Sequence, residues 1–382
     1  MDAIHILRRS RRRTTALILS LPLAGVFAAP RVRAAADAVA GPALAFMADR
    51  RAVGLSVGVI QAGRSTSHHY GTVSKKHRRV ADDRTIYPIA SLTKTFTGLL
   101  LAQAQQAGKL KLDDDIRRYL DGAYPNLVFD GLPIRIHHLV NHVSGLPNLL
   151  PNSPEAAPDF PSAVPFPERL RALATASTRA GFYAALGTVT LTATPGTHFS
   201  YSNAAAQLAG YILERVEGLP FETLVRERIA MPRGMIDTFV TPTAEQALRF
   251  VSGYEEDVEQ PYFPNTMQAA GALKSSLADM LAYARSQLGE RDPATRLSHQ
   301  ATDRAGSYVA GLNWQVFSRG SRRVIFQDGS LPGFSCLFVL HPDSGIGIVL
   351  LANEIDRDAM DRLRVLANGV GTALDPELLP VP

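Results

Sequence analysis

The chain has 382 residues, 46% of them hydrophobic and 20% charged, an ordinary globular mix that excludes a largely disordered, collagen-like or low-complexity protein. Its length exceeds one simple core and predicts two packed lobes or a domain with a large insertion. The formal charge of +5 suggests a nucleic-acid binder, but seven arginines and one acid in residues 1–36 carry +6 and leave the remainder at −1. No nucleic-acid partner is expected.

Residues 1–36 read as an export signal. A basic run at 8–13 precedes a 14-residue apolar stretch at 16–29, followed by small-residue sites around Ala34, Ala36 and Ala38, the order of a cleavable signal peptide. Ser10-Arg11-Arg12 is similar to a twin-arginine signal, with Thr14 where an apolar residue is more usual. The apolar stretch contains Pro22 and is too short to span a bilayer core of about 30 Å. The expected mature protein is exported, periplasmic or extracellular, with no stable membrane span. An uncleaved N-terminus would instead make it an anchored envelope protein. The one cysteine, Cys336, lies in an apolar run and is expected to pack rather than react.

Strands are predicted at 54–60 and 66–73. From Ser91 the pattern turns helical and stops at Gly108. Residues 109–265 read as mostly helical, with apolar residues at helical spacing in 136–141, 204–217 and 221–229. Strand patterning returns at 308–317, 322–326, 334–341 and 346–351, and an amphipathic helix over 357–374 closes the chain. The expected fold is α/β (α+β): an antiparallel sheet built from both chain ends and flanked by helices, with a mainly helical lobe inserted at about 96–265 and a cleft between the lobes. Seven prolines in residues 147–167 make that segment extended, either a cleft wall or a surface loop.

Ser91 and Lys94 fall one turn apart on the same helix face. A serine at a helix start can face a cleft, and the lysine behind it is a candidate proton acceptor if its site keeps it neutral. Alone the pattern is weak, because Ser-x-x-Lys arises by chance about once in a chain of this length; an N-capping serine and a solvated lysine would give the same text. The second candidate set is Tyr201 and Asn203, on a loop that opens with Pro195-Gly196 and runs into a helix. A phenol can relay a proton and a carboxamide can hold a substrate amide. Tyr124-Pro125-Asn126 repeats the spacing without the Pro-Gly lead-in and reads as a turn.

Taken in order, Ile89-Ala90-Ser91-Leu92-Thr93-Lys94, the segment 134–147 (IRIHHLVNHVSGLP), residues 195–203, Gly311-Leu312-Asn313-Trp314 and the segment 328–334 (DGSLPGF) resemble the serine β-lactamase and penicillin-binding-protein superfamily. The similarity lies in its branch of class C β-lactamases, D,D-carboxypeptidases and related esterases, and covers about residues 40–355. It implies that Ser91 is the acylated nucleophile, with Lys94 and Tyr201 sharing the proton transfers. Asn203 would line the substrate site. The backbone N–H groups of Ser91 and Ser330 would form the oxyanion hole, with Gly329 allowing close backbone approach. The implied substrate is a small-molecule or peptidoglycan-derived acyl compound, with no cofactor.

One departure stands out. Where that family has Lys-x-Gly or His-x-Gly, this chain has Gln327-Asp328-Gly329. Gln327 offers hydrogen bonds to a substrate but no charge, and Asp328 adds a negative one. The loss weakens the case for carboxylate-bearing penicillins and peptides and favours neutral esters or amides. An esterase of the same fold and an idle peptidoglycan-binding homologue are the alternatives, and Arg322 or Arg323 are candidates to replace the cation.

Three further motifs are set aside. Gly54-Leu55-Ser56-Val57-Gly58 matches a nucleophile elbow, but the strand continues past the serine instead of turning into a helix. His137, His138 and His142 lack the glutamate of a zinc helix and a third ligand, so no metal is expected. Residues 75–79, beside His68 and His69, read as a solvated basic hairpin.

Overall fold

The computed structural model describes residues 30–152, 161–261, 266–305 and 308–382. The basic and apolar runs of the expected signal lie outside them. The expected cleavage region falls inside helix α1, Pro30–Met47. Among the described residues no helix is long and apolar enough to cross a membrane.

The central sheet has eight strands: β1 Gly54–Gln61, β2 Arg64–Gly71, β3 Asp303–Ala305, β4 Tyr308–Ala310, β5 Gln315–Arg319, β6 Arg322–Leu331, β7 Phe334–His341 and β8 Ile346–Ala352. Their spatial order is β2-β1-β8-β7-β6-β5-β4-β3, antiparallel throughout. The first two strands therefore close against the last one, and both chain ends build one sheet. Between β2 and β3 the described chain adds no strand to it.

Both faces of the sheet are covered, and the strands alternate between two cores, as the period-2 geometry requires. Leu55, Val57 and Val59 of β1, Leu337 and Val339 of β7, and Ile348 and Leu350 of β8 pack outward. They meet Val39, Ala43 and Phe46 of α1 and Leu363, Leu366 and Val370 of the C-terminal helix. The intervening Cys336, Phe338, Val349 and Leu351 face the other core, with Phe96, Leu99, Leu208 and Ile212. Four helices besides α1 matter for the site: α2 Thr93–Gln106, α3 Asn203–Glu217, α4 Leu277–Leu288 and α5 Ala359–Leu374.

Two boundaries differ from the sequence expectation in ways that shape the cleft. The strand expected over 308–317 is broken, because Asn313 adopts a left-handed φ of 62° and its amide donates to the Lys94 carbonyl at 2.8 Å. The strand expected to end at Phe326 runs on to Leu331. Pairing between β5 and β6 stops at Gln315 opposite Phe326, while β7 pairs with β6 as far as Leu331. Among the described residues, 327–331 therefore have one edge without a strand partner, and that edge borders the nucleophile.

Candidate active site

Ser91 sits in a 3-10 turn, Ala90–Leu92, immediately before α2. It makes no N-capping bond. Ala90 takes a left-handed φ of 47°, a conformation that costs a non-glycine residue roughly 1 kcal/mol or more. The turn holds Ser91 at the floor of a cleft of about 300 Å³ whose apolar walls include Leu149, Phe166, Leu170, Met267, Leu331 and Met360. Asn148 and Leu149 near the start of the proline-rich segment and Phe166 near its end line the cleft, so its described ends form part of the wall.

Lys94, the next turn of helix, is fully buried beneath that floor. Its Nζ lies 3.0 Å from Ser91 Oγ, 2.7 Å from Asn203 Oδ1 and 2.6 Å from the Ala270 carbonyl oxygen. Burial pulls the amine down from 10.5 to about 7, with the Asp328 carboxylate opposing the shift. The bonding pattern agrees with the neutral form. A neutral amine has two N–H donors, and two of its neighbours, a carboxamide oxygen and a peptide carbonyl, can only accept. The lone pair is left for the one partner that can donate, the Ser91 hydroxyl.

Tyr201 OH lies 2.7 Å from Ser91 Oγ, and Lys94 Nζ stands 4.9 Å from the centre of its ring. Burial pushes the phenol up, and the bond to Ser91 partly offsets this; about a third of the residue still meets solvent, which moderates the push. The direction is upward, where a proton relay helped by a cation calls for downward. In the resting site Tyr201 holds its proton.

Asn203 is the first residue of α3, whose N-cap Ser202 accepts from the Ala205 N–H. Its Nδ2 donates to Asn148 Oδ1 at 2.8 Å, so one carboxamide orients the lysine and is itself oriented. On the opposite wall, Gly329 passes so close that a Cβ there would lie 2.8 Å from Ser91 N and 2.9 Å from Cys336 Sγ. Glycine is required by that approach. Cys336 is buried, and its thiol has the Ile89 and Gly329 carbonyl oxygens at 3.2 and 3.3 Å as acceptors for its one hydrogen. It packs the nucleophile turn against the strand. Ser330 lies on the cleft lining with Gly329 and Asp328.

Six of the seven residues expected at the site thus meet around one cleft: Ser91, Lys94, Tyr201, Asn203, Gly329 and Ser330. Gln327 does not reach it. It is buried, and its amide donates to the Asp328 carbonyl at 3.2 Å. Neither Arg322 nor Arg323 replaces the cation: the first pairs with Glu377 and the second with Glu290 and Asp343. A cation arrives from elsewhere. Arg364 of α5 donates to Asp328 Oδ2 at 2.7 Å. Sequence reasoning missed Arg364, Asn148 and the Ala270 carbonyl. The last has no side-chain signature, and Arg364 is brought to Asp328 only by the packing of α5 on the sheet.

The set-aside motifs have structural employment. Ser56 is fully buried within β1 and bonds the Tyr87 hydroxyl and His69 Nδ1, each at 2.9 Å. Asp83 completes a serine–histidine–acid chain at 3.0 Å from His69 Nε2, but Ser56 itself has no exposed surface. Asn126 of the second Tyr-x-Asn donates to the Leu186 and Val189 carbonyls, as a turn residue would. His138 Nδ1 accepts the Arg135 N–H. His142 is more involved than expected. Its ring packs 4.3 Å from that of Tyr201, its Nδ1 accepts the Ser202 N–H at 3.2 Å and its carbonyl accepts the Ser200 N–H at 2.7 Å. Burial and the nearby Lys94 push its pKa down to about 3, so a neutral imidazole backs the phenol.

A family model described as Beta-lactamase matches residues 43–369. The chain is 26% identical over 342 residues to the D-alanyl-D-alanine-carboxypeptidase/endopeptidase AmpH of Escherichia coli K12, covering 84% of this chain and 83% of that protein. It is 25% identical over 365 residues to a protein named Beta-lactamase from Pseudomonas fluorescens, covering 85% and 94%. The fold is similar to that of a Yersinia pestis β-lactamase/D-alanine carboxypeptidase solved with citrate, with a TM-score of 0.74, 22% identity and coverage of 90% and 98%. With a match spanning most of its length, the chain belongs to the Beta-lactamase family.

Proposed function

We propose that the protein is an exported serine hydrolase that cleaves an amide or ester bond through an acyl-enzyme at Ser91. The observation that carries this reading is the environment of Lys94 Nζ, whose two fixed acceptors leave its lone pair to Ser91. As Ser91 Oγ attacks the substrate carbonyl, its proton passes to Lys94. The oxyanion is taken by the backbone N–H groups of Ser91 and Ser330. Tyr201 gives its proton to the leaving alcohol or amine and regains one from Lys94. Water then attacks the acyl-enzyme and releases the acid.

The family and the named activities of its relatives support a lactam or D-alanyl peptide substrate. The absence of a cation at 327, and a cleft lined by Asp328, favour the ester reading within the same chemistry. An idle binding protein is the weaker account, since all three proton-transfer groups stand within hydrogen-bonding distance of one another or of Ser91. The basic and apolar N-terminal runs support export.

Pre-steady-state release of p-nitrophenolate from a short-chain p-nitrophenyl ester tests the reading. The expected result is a burst approaching one equivalent per chain, absent in Ser91→Ala. Full turnover of every substrate by Ser91→Ala would overturn it.

A further inference from the structure

Among the described residues that line the cleft, Asp328 is the only one with a charged side chain. Lys94 lies beneath the floor, and the remaining lining is apolar or neutral. Asp328 sits on the free edge of β6, one residue before the glycine that touches the nucleophile turn, so its carboxylate stands beside the path of any bound acyl compound. The side chain is 26% exposed, and one of its two carboxylate oxygens is committed to an ion pair. Oδ2 accepts from Arg364 at 2.7 Å, while Arg364 also pairs with Asp361 at 3.0 Å. Among the described residues Oδ1 has no hydrogen-bond partner, so it stands as an acceptor.

Three consequences follow from charge and geometry. A substrate carboxylate placed near Asp328 would meet a like charge between apolar walls, where the repulsion is screened less than in bulk water. The cation that could offset it is already engaged by Asp328 and Asp361. A neutral N–H or O–H, or an ammonium, would find Oδ1 waiting. Met360, one helical turn before Arg364, lines the same wall, so α5 supplies both the apolar contact and the arginine that fixes the carboxylate.

We propose that Asp328, held in place by Arg364, is a selectivity determinant that turns away carboxylate-bearing ligands and directs the cleft to acyl compounds that are uncharged or cationic beside the scissile bond. The inference rests on the hydrolase reading for its biological meaning, but its physical content is a binding preference that does not require turnover.

The probe is a matched pair, N-acetylphenylalanine amide and N-acetylphenylalanine, which differ in a carboxamide against a carboxylate. Their affinities are measured by calorimetry on the full chain. The wild type is expected to bind the amide about tenfold more tightly than the acid, a ratio set by one partly neutralised charge. Asp328→Asn should bring the ratio to within about threefold, and Arg364→Gln should widen it beyond the wild-type value by leaving the carboxylate unpaired. Opposite movements of one ratio are not produced by a pair that merely braces α5 on the sheet, because that role would weaken both ligands together. Should Asp328→Asn fail to fold, the widening in Arg364→Gln carries the test alone. Equal binding of acid and amide by the wild type, binding of neither, or a ratio unmoved in the folded variants would overturn the proposal. Failure of the hydrolase reading is seen separately, as the absence of ester turnover in a wild type that still discriminates the two ligands.

Discussion

Around Lys94 Nζ, three oxygens compete for the hydrogens of one amine, and the outcome decides the chemistry. When the amine is charged, its three donors are spread over Ser91, Asn203 and Ala270, and Ser91 gains nothing as a nucleophile. When it is neutral, Ser91 becomes the donor. Because burial brings the amine to about 7, acyl transfer to Ser91 should decline below pH 7, by about tenfold per unit as the proton acceptor fills. A pH profile of kcat/KM for an uncharged ester checks this, and a rate that stays flat from pH 8 to 5 would remove Lys94 as the base. Asp328 holds the amine up, so Asp328→Asn should move that acidic limb to lower pH. Lys94→Met preserves volume without the proton acceptor and should cost at least about a thousandfold in kcat, within the range expected for losing a general base that also activates the nucleophile. His142→Leu tests the backing of Tyr201: loss of the ring and of the acceptor for Ser202 N–H should lower kcat about tenfold with little change in KM, and equal losses in both would mean a general disturbance of the cleft.

At the scale of elements, the site is the meeting of a strained turn, a helix start and a strand edge. Gly329 is the contact where strand and turn come closest. A methyl group there would press on Ser91 N and Cys336 Sγ, neither of which is a flexible chain end. Gly329→Ala should therefore lose at least about a hundredfold in turnover, with a stability cost of roughly 1–3 kcal/mol typical of overpacking. Kinetics beside urea unfolding would separate the two, and wild-type turnover in a folded Gly329→Ala would show that the edge is not held against the nucleophile.

Ser91, Lys94, Tyr201 and Asn203 were readable in the sequence because short-range spacing places functional groups on one helix face or at one helix start. The sheet was readable because both of its faces are covered, which turns β7 and β8 into nearly unbroken apolar runs. The break at Asn313 was not, since its left-handed backbone is fixed by a bond to a carbonyl 219 residues away in the chain. Nor was the burial of Gln327: the strand was expected to stop at Phe326, and without the extension to Leu331 the facing of residues 327–330 had no register to follow. Arg364 reaches Asp328 across 36 residues of sequence, on an element whose docking no local pattern specifies.

For the molecule as a whole, the two ends of the chain carry the outer layer. Val39, Ala43 and Phe46 of α1 lie against the sheet in the same core as α5. Export would have to respect this packing. Cleavage near Ala34 to Ala38 removes the basic run and leaves those three residues in place, so N-terminal sequencing of the secreted protein should begin between residues 35 and 39. A start beyond Phe46 would strip the outer core and contradict this arrangement, while an intact basic N-terminus would favour an anchored envelope protein. Because β1 pairs with β8 in the sheet, neither the early nor the late part of the chain holds the site alone: Ser91 and Lys94 follow the first strands, and Asp328, Gly329 and Ser330 arrive only with the last ones.

The account stands or falls on Ser91 as a nucleophile. Intact-mass spectrometry of the folded protein, after incubation with an alkyl fluorophosphonate, measures this most directly, with Ser91→Ala treated in parallel. The account predicts a single adduct of the phosphonyl mass on the wild type and none on Ser91→Ala. An unlabelled wild type, or an equal adduct on Ser91→Ala, would contradict it.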